Sequence, residues 1–499
     1  MAMKHCFVGI DVGLTAAKAA AFDDTGRELR TYSAPNPRIA VAADRQEVDM
    51  YALWATVSGV LTSLTTWLDS EGWAPQAVGV TGHGNGLYLV DELLQPVRRA
   101  IASNDSRAEG IVAGIAPADR ASMQIVTGSV PWAGQPGVLL RWLQEHEPES
   151  LDRTRWVLSC KDWLTTRLIG RPSADFSDAS ACGLVSLADR DYEPRVFDML
   201  GLPRAQMALL PPLAASDSIV GEITAIAASE TGLPVGIPVV AGCMDCVASP
   251  LGAGSVSETD VTIIVGTWAI NSVVVPVGST PPNVTLNALL PDKQVMLAQE
   301  VAPTSAASIE WFSSLMSTVS VDAITPRQLL AAAADVPAGA DGLLFLPFIH
   351  GAPEHLGASG SLLGAKGSHG YREIARAVAE GITQYHRVQL EKLCASGALV
   401  SEEPWTLAGG GAKNPLWAQM FADIIGHPVR RQLGTELGAR GVASLAAAGA
   451  GADLEGWRTN PDPKLVVHPG VDRQQYRKQS ARFDAVLAAM GSVWSEVQA

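Results

Sequence analysis

Two stretches in opposite halves of the chain share one layout, and this repetition limits the possible folds more than any other feature. Residues 6–12, Cys-Phe-Val-Gly-Ile-Asp-Val, form an apolar run that ends at Gly13-Leu14-Thr15, and Lys18 to Phe22 starts a second run. Residues 260–275 repeat the pattern: Asp260 to Val265, then Gly266-Thr267, then Ala269 to Val275. Short apolar runs separated by glycine turns read as buried strands joined in hairpins. An internal echo of this kind points to two related domains facing each other. The chain has 499 residues, more than one typical core holds, so its length also fits two domains. The division is expected near 247–256, giving domains over 1–250 and 251–499.

Between the echoes, the run Val239-Val240-Ala241 stops at Gly242, and Asp245 follows. Open α/β sheets place their chemistry beyond the carboxyl ends of strands. Asp245 is therefore a candidate general base; the other reading is an ordinary capping acid. Cys243 and Cys246 flank it in a C-x-x-C, the spacing of a redox pair or of half a zinc site. No second close pair of Cys or His lies near in sequence, and small buried side chains are the alternative reading.

Other polar clusters sit at strand ends. At the first hairpin tip, the backbone at Gly13 and the Thr15 hydroxyl can hold a phosphate, and Asp11 can hold a hydrated Mg²⁺. Ala77 to Val80 reads as a strand that runs into Thr81-Gly82-His83-Gly84-Asn85-Gly86. Three glycines let that backbone approach a ligand, so His83 and Asn85 are either hydroxyl-binding groups or turn residues. Asp105 and Arg107 either bind sugar hydroxyls or pair with each other. The acids of Asp175 to Ser180 read as caps. The strand Trp405 to Ala408 leads through Gly409-Gly410-Gly411 to a helix over Leu416 to Ile425. A triple glycine before a helix start lets a nucleotide lie against the backbone.

Helical periodicity marks four more segments. Asp49 to Leu68 places Trp54, Val57, Val60, Leu61, Leu64 and Leu68 on one side. Lys161 to Leu168 is also helical, as is Tyr371 to Leu393 with Ile374, Val378, Ile382, Tyr385 and Leu390 on its core face. Glu436 to Ala448 is rich in small residues and suits close packing. His350 to Gly370 reads as a loop or flap, and the tail to Ala499 as peripheral helix and turn.

A net charge of −15 makes nucleic acid a poor partner. No stretch reaches the roughly 18 to 20 apolar residues that span a bilayer. Met1 to His5 lead directly into a strand pattern with no signal-like run, and six scattered cysteines suit free thiols in a reducing compartment. A cytoplasmic protein without a membrane partner is expected.

With these pieces in register the chain resembles the FGGY carbohydrate kinases, the family of glycerol, xylulose, ribulose and gluconate kinases, over nearly its whole length. Gly9 to Thr15 is similar to the family's first phosphate motif, with Leu14 where threonine is usual. Val240 to Asp245 resembles the catalytic-base motif, with Cys246 where Asn or Gln often follows. Gly266-Thr267 resembles the second phosphate motif. Leu407 to Pro428 is similar to the adenosine-binding segment and Glu436 to Gly441 to the helix after it. Leu140 to Pro148 resembles the N-domain signature, with Leu139 in place of its usual lysine. Within the family, the loop at 82–86, Gln135 to Trp142 and Gly266-Thr267-Trp268 look like the L-xylulose kinases, whose frame erythritol and other polyol kinases share.

The resemblance implies an α/β fold of two ribonuclease-H-like, actin-type domains around a central cleft. It implies transfer of the ATP γ-phosphoryl to a primary hydroxyl of a small sugar or polyol, most simply a ketopentose such as L-xylulose. Asp245 would be the base, and His83, Asn85 and Asp105 would bind substrate. Asp11 would hold Mg²⁺; Gly13, Thr15, Gly266 and Thr267 would meet phosphate; and Gly410, Gly411 and Asn414 would line adenosine. Family members are often dimers, so a homodimer is expected. An actin-like ATPase without sugar transfer and a thiol-redox protein using Cys243 and Cys246 are the readings from other classes.

Overall fold

A computed structural model describes residues 4–497, apart from 38, 43, 256, 280–283, 319–321, 353–356, 396–400, 435 and 458–462. The first sheet grows from the hairpin encoded near the start. β1 (Lys4–Val12) and β2 (Ala16–Phe22) run antiparallel, with Asp11 opposite Lys18. β3 (Glu28–Pro35) pairs antiparallel with β2. On the other side β4 (Trp73–Gly82) runs parallel to β1 and sets Asp11 beside Thr81. β5 (Ile219–Glu222) and β6 (Pro238–Val240) extend the sheet in the order β5-β6-β4-β1-β2-β3, and β7 (Cys243–Met244) pairs with the end of β4.

The second sheet repeats the scheme. β8 (Val261–Val265) and β9 (Ala269–Pro276) form its hairpin. β10 (Leu286–Leu289) and β11 (Val295–Ala302) add antiparallel strands, while β12 (Trp405–Ala408) and β13 (Val429–Arg431) add parallel ones beside β8. In both sheets one hairpin is flanked by an antiparallel strand on one side and two parallel strands on the other. The echo read in the sequence is thus a duplicated, ribonuclease-H-like topology.

Helices cover these sheets with the faces their periodicity encodes. In α1 (Met50–Glu71) the Asp49 carboxylate accepts from the Ala52 N–H, and Gly72 closes the helix at φ 72°. Its buried face includes Leu53, Trp54, Val57, Leu61, Leu64 and Leu68. α2 (Asp245–Gly252) starts at the candidate base itself. α3 (Tyr371–Cys394) is buried nearly all round, although Ile374 is only partly so. α4 (Leu437–Gly449) comes from the second half of the chain but lies on the first sheet. A Cβ at Gly9 would stand 1.9 Å from the Ala439 carbonyl oxygen, and one at Gly79 would stand 2.2 Å from that of Val442. Gly441 and Gly252 play the same role where α4 crosses α2.

The tail departs from the peripheral element expected of it. In α5 (Arg473–Val497), Tyr476, Phe483 and Trp494 are fully buried. Tyr476 and Gln479 donate to the buried Glu380 of α3, which Arg376 also bonds. The tail's polar sequence conceals this role because its anchors are few and widely spaced. Of the loop at 350–370, residues 353–356 lie outside the described residues; Ser361–Leu363 forms a strand against Leu344–Leu346.

Candidate active site

Asp245 occupies the first turn of α2, directly after β7. The chain reaches it through Gly242, where φ is 72° and a Cβ would stand 1.9 Å from the Val80 carbonyl oxygen, so no side chain fits. The Asp245 carboxylate accepts from the Cys246 N–H at 2.7 Å and from the Gly84 N–H. The residue is half-buried, with neighbours buried on both sides of it in sequence. Desolvation, then the charges of Asp11 and Asp178, push its carboxyl up to about 7, against the weaker pull of those N–H donors. A carboxylate that binds its proton near neutrality can serve as a general base. The Cys246 carbonyl oxygen accepts from Gln299 Nε2 of β11 at 2.7 Å, which ties the base turn to the second domain. The side chains of Cys243 and Cys246 are buried in an apolar cluster, and burial raises both thiols. They are packing residues, and a thiolate redox pair is disfavoured there.

Asp11, the penultimate residue of β1, lies close enough to Asp245 for its charge to raise that carboxyl. Burial raises its own carboxyl to about 6, with Lys18 lowering it and Glu436 raising it. Lys18 pairs with Glu436 at 2.5 Å. Gly438 is required beside it, since a Cβ there would stand 2.5 Å from Asp11 Oδ2. The two hairpin tips hold their polar groups outward: Thr15 and Thr267 are exposed, and Gly13 and Gly266 are partly so. The Gly13 N–H already bonds the Ala16 carbonyl at 3.1 Å.

The loop after β4 holds unpartnered buried atoms. His83 Nε2 lies 3.0 Å from the Tyr88 hydroxyl, while Nδ1 has no hydrogen-bond partner among the described residues. Burial lowers its pKa to about 4, so the ring is neutral at pH 7. Asn85 sits at φ 61°, and its Oδ1 is buried without a hydrogen-bond partner among the described residues. A buried polar atom left unpaired is costly, so such atoms mark where a ligand hydroxyl belongs. Asp105 differs from the free acid expected of a substrate ligand. Its two oxygens accept from the Arg107 N–H, Nε and Nη2 and from the Gln46 N–H, at 2.7 to 3.0 Å. These four donors fill its acceptor sites, and Asp105 braces the loop by pairing with Arg107.

The triple glycine divides its work. Gly409 has φ 86° and lies against the Val265 carbonyl. A Cβ on Gly411 would stand 2.4 Å from Val265 Cγ1, so Gly411 is a packing glycine. A Cβ at Gly410 would meet no described neighbour nearer than the Val265 carbonyl oxygen at 4.0 Å, and of the three glycines this backbone faces open space. Asn414 caps the helix Pro415–Ile425 by accepting from the Trp417 N–H at 3.2 Å.

One group is not visible in the sequence. Lys161, Asp162, Asp175 and Asp178 are buried together; Asp175 is a helix cap, as its segment indicates, and Asp162 closes the capping box whose N-cap is Ser159. Among the described residues these three acids form a set with metal-like spacing, but the Lys161 ammonium lies among them. The signal available was a lysine followed by an acid at a helix start. It gives no hint that Asp175, from a separate loop, completes the group.

Comparison with known proteins decides the family. The model for the N-terminal domain of the FGGY family of carbohydrate kinases matches residues 6–252, and that for the C-terminal domain matches residues 261–450. The chain belongs to the FGGY carbohydrate kinases. It is therefore a sugar or polyol kinase, with ATP as the family's phosphoryl donor. The L-xylulose/3-keto-L-gulonate kinase of Escherichia coli strain K12 is 30% identical over 500 residues, covering 98% of each chain. The erythritol kinase of Brucella abortus is 28% identical over 522 residues, covering 98% of this chain and 97% of its own. The crystal structure of xylulose kinase from Rhodospirillum rubrum superposes with a TM-score of 0.88 at 26% identity, covering 98% of this chain and all of that one. Among the described residues no helix of this FGGY kinase is long and apolar enough to cross a membrane.

Proposed function

We propose that this kinase transfers the γ-phosphoryl group of ATP to a primary hydroxyl of a ketopentose, with L-xylulose as the first candidate. The observation that carries the proposal is the position of Asp245. A carboxylate raised to about 7 lies beside a loop whose His83 Nδ1 and Asn85 Oδ1 await hydrogen-bond partners. The similarity to an L-xylulose/3-keto-L-gulonate kinase supports the choice of sugar.

In this reading His83 and Asn85 bind the sugar's hydroxyls and orient its primary alcohol toward Asp245. Asp245 accepts the hydroxyl proton as the oxygen attacks phosphorus. Positioning and charge do most of the remaining work, because phosphoryl transfer asks for little covalent help. Gly13, Thr15, Gly266 and Thr267 meet the phosphates, and Gly410 lies against adenosine. Gly411 and Asn414 hold that backbone in place. Asp11 is the carboxylate that would hold Mg²⁺, a hard cation that takes oxygen donors. It fits the ion: an anionic oxygen pressed close to a second carboxylate is relieved by positive charge. Bound there, Mg²⁺ would neutralise charge on the phosphates. Six free cysteines suit the cytoplasm.

The test is ADP release on a panel of L-xylulose, other ketopentoses, erythritol and keto-acid sugars. L-xylulose should give the highest kcat/KM. A preference for erythritol would move the assignment to a polyol kinase. Sugar-independent ATP turnover alone would move it to an ATPase switch.

A further inference from the structure

Behind the site, Lys161 holds three acids together. Its Nζ is 2.5 Å from Asp162 Oδ1, 2.8 Å from Asp175 Oδ1 and 3.9 Å from Asp178 Oδ2. The lysine is wholly buried, which an ammonium tolerates only among compensating charges. Two chains of bonds leave this group. In one, Asp178 Oδ1 accepts from the Cys182 thiol at 3.3 Å, and Cys182 Sγ accepts from the Asn85 N–H at 3.3 Å. In the other, Asp175 Oδ2 accepts from the Ser216 hydroxyl at 2.7 Å, and the Ser216 carbonyl accepts from the Gly242 N–H at 2.9 Å. Lys161 itself also reaches the Ala241 carbonyl at 3.5 Å.

The two segments reached are the sugar loop and the turn that delivers the base. Both adopt left-handed backbone, at Asn85 and at Gly242. Asparagine enters left-handed backbone more readily than other residues with a side chain, and the Cys182 bond to the Asn85 N–H helps hold it there. Resting on the kinase reading above, we infer that Lys161 is a positioning residue whose ammonium gathers three acids into one hub and thereby sets the sugar loop in register with the base turn. The hub occupies the place a metal would take among these acids and supplies the positive charge from within the chain.

Three variants test this, each with kcat and separate KM values for sugar and ATP. Cys182→Ala cuts the loop chain and should raise the sugar KM roughly tenfold, with the ATP KM unchanged. Ser216→Ala cuts the base-turn chain and should lower kcat roughly fivefold at nearly constant sugar KM. Lys161→Met should do both. It leaves three acids without their counter-charge, so if it fails to fold the two uncharged variants decide the matter. A purely structural role would lower melting temperatures and leave the constants alone. Folded Cys182→Ala and Ser216→Ala enzymes with constants within about twofold of wild type would therefore overturn the inference. Wild type that phosphorylates no sugar on the panel would overturn the kinase reading and this inference together.

Discussion

At the scale of single residues, the site depends on carboxylates kept in unfavourable surroundings. Asp245 works as a base only when ionised, and its carboxyl is raised to about 7. The sugar kcat/KM should therefore fall about tenfold per pH unit below that value and level off above it. A flat profile between pH 5.5 and 8 would remove Asp245 from the proton transfer. The same shift acts on stability with the opposite sense. A folded-state value above the unfolded one stabilises the protein fully below the unfolded value of about 4, and this is lost as pH rises to about 7. Asp245→Asn escapes that loss and can still accept from the Cys246 N–H. Its melting temperature should exceed wild type by a few degrees at pH 8, and the gap should close toward pH 4. An unchanged gap across that range would contradict the raised carboxyl.

At the scale of elements, glycines separate ligand contact from packing. Gly410 faces open space in right-handed backbone, with φ −58° and ψ −39°, whereas Gly411 abuts Val265 and Trp417. Gly410→Val should raise the ATP KM while sparing both the sugar KM and the fold. Gly411→Val should lower the melting temperature. Kinetics and thermal melts on the two variants check this, and the reverse pattern would relocate adenosine. The sequence shows a run of three glycines but not which neighbour each one meets. Likewise Asp105 and Arg107 are visible as a cluster, and only the Gln46 N–H and the full set of Arg107 donors reveal a closed pair. The start of α2 at Asp245 was also hidden, because Met244 offers no side-chain cap.

At the scale of the molecule, the duplicated hairpins made two like domains legible, since buried strands and glycine turns are local signals. What joins the domains is not local. α4 fits the first sheet because Gly9 and Gly79 leave space for Ala439 and Val442, residues more than 350 positions away. Lys161 meets Asp175 only after folding, and α5 reaches Glu380 across the second domain. The base turn belongs to the first domain yet is bonded to Gln299 of the second. The most direct measurement is therefore the paired behaviour of Asp245→Asn: ATP affinity by calorimetry, and sugar-dependent ADP release with L-xylulose at saturating ATP. The account predicts ATP affinity within about twofold of wild type and a kcat lower by roughly a thousandfold or more. Near-normal sugar turnover in that variant would contradict it.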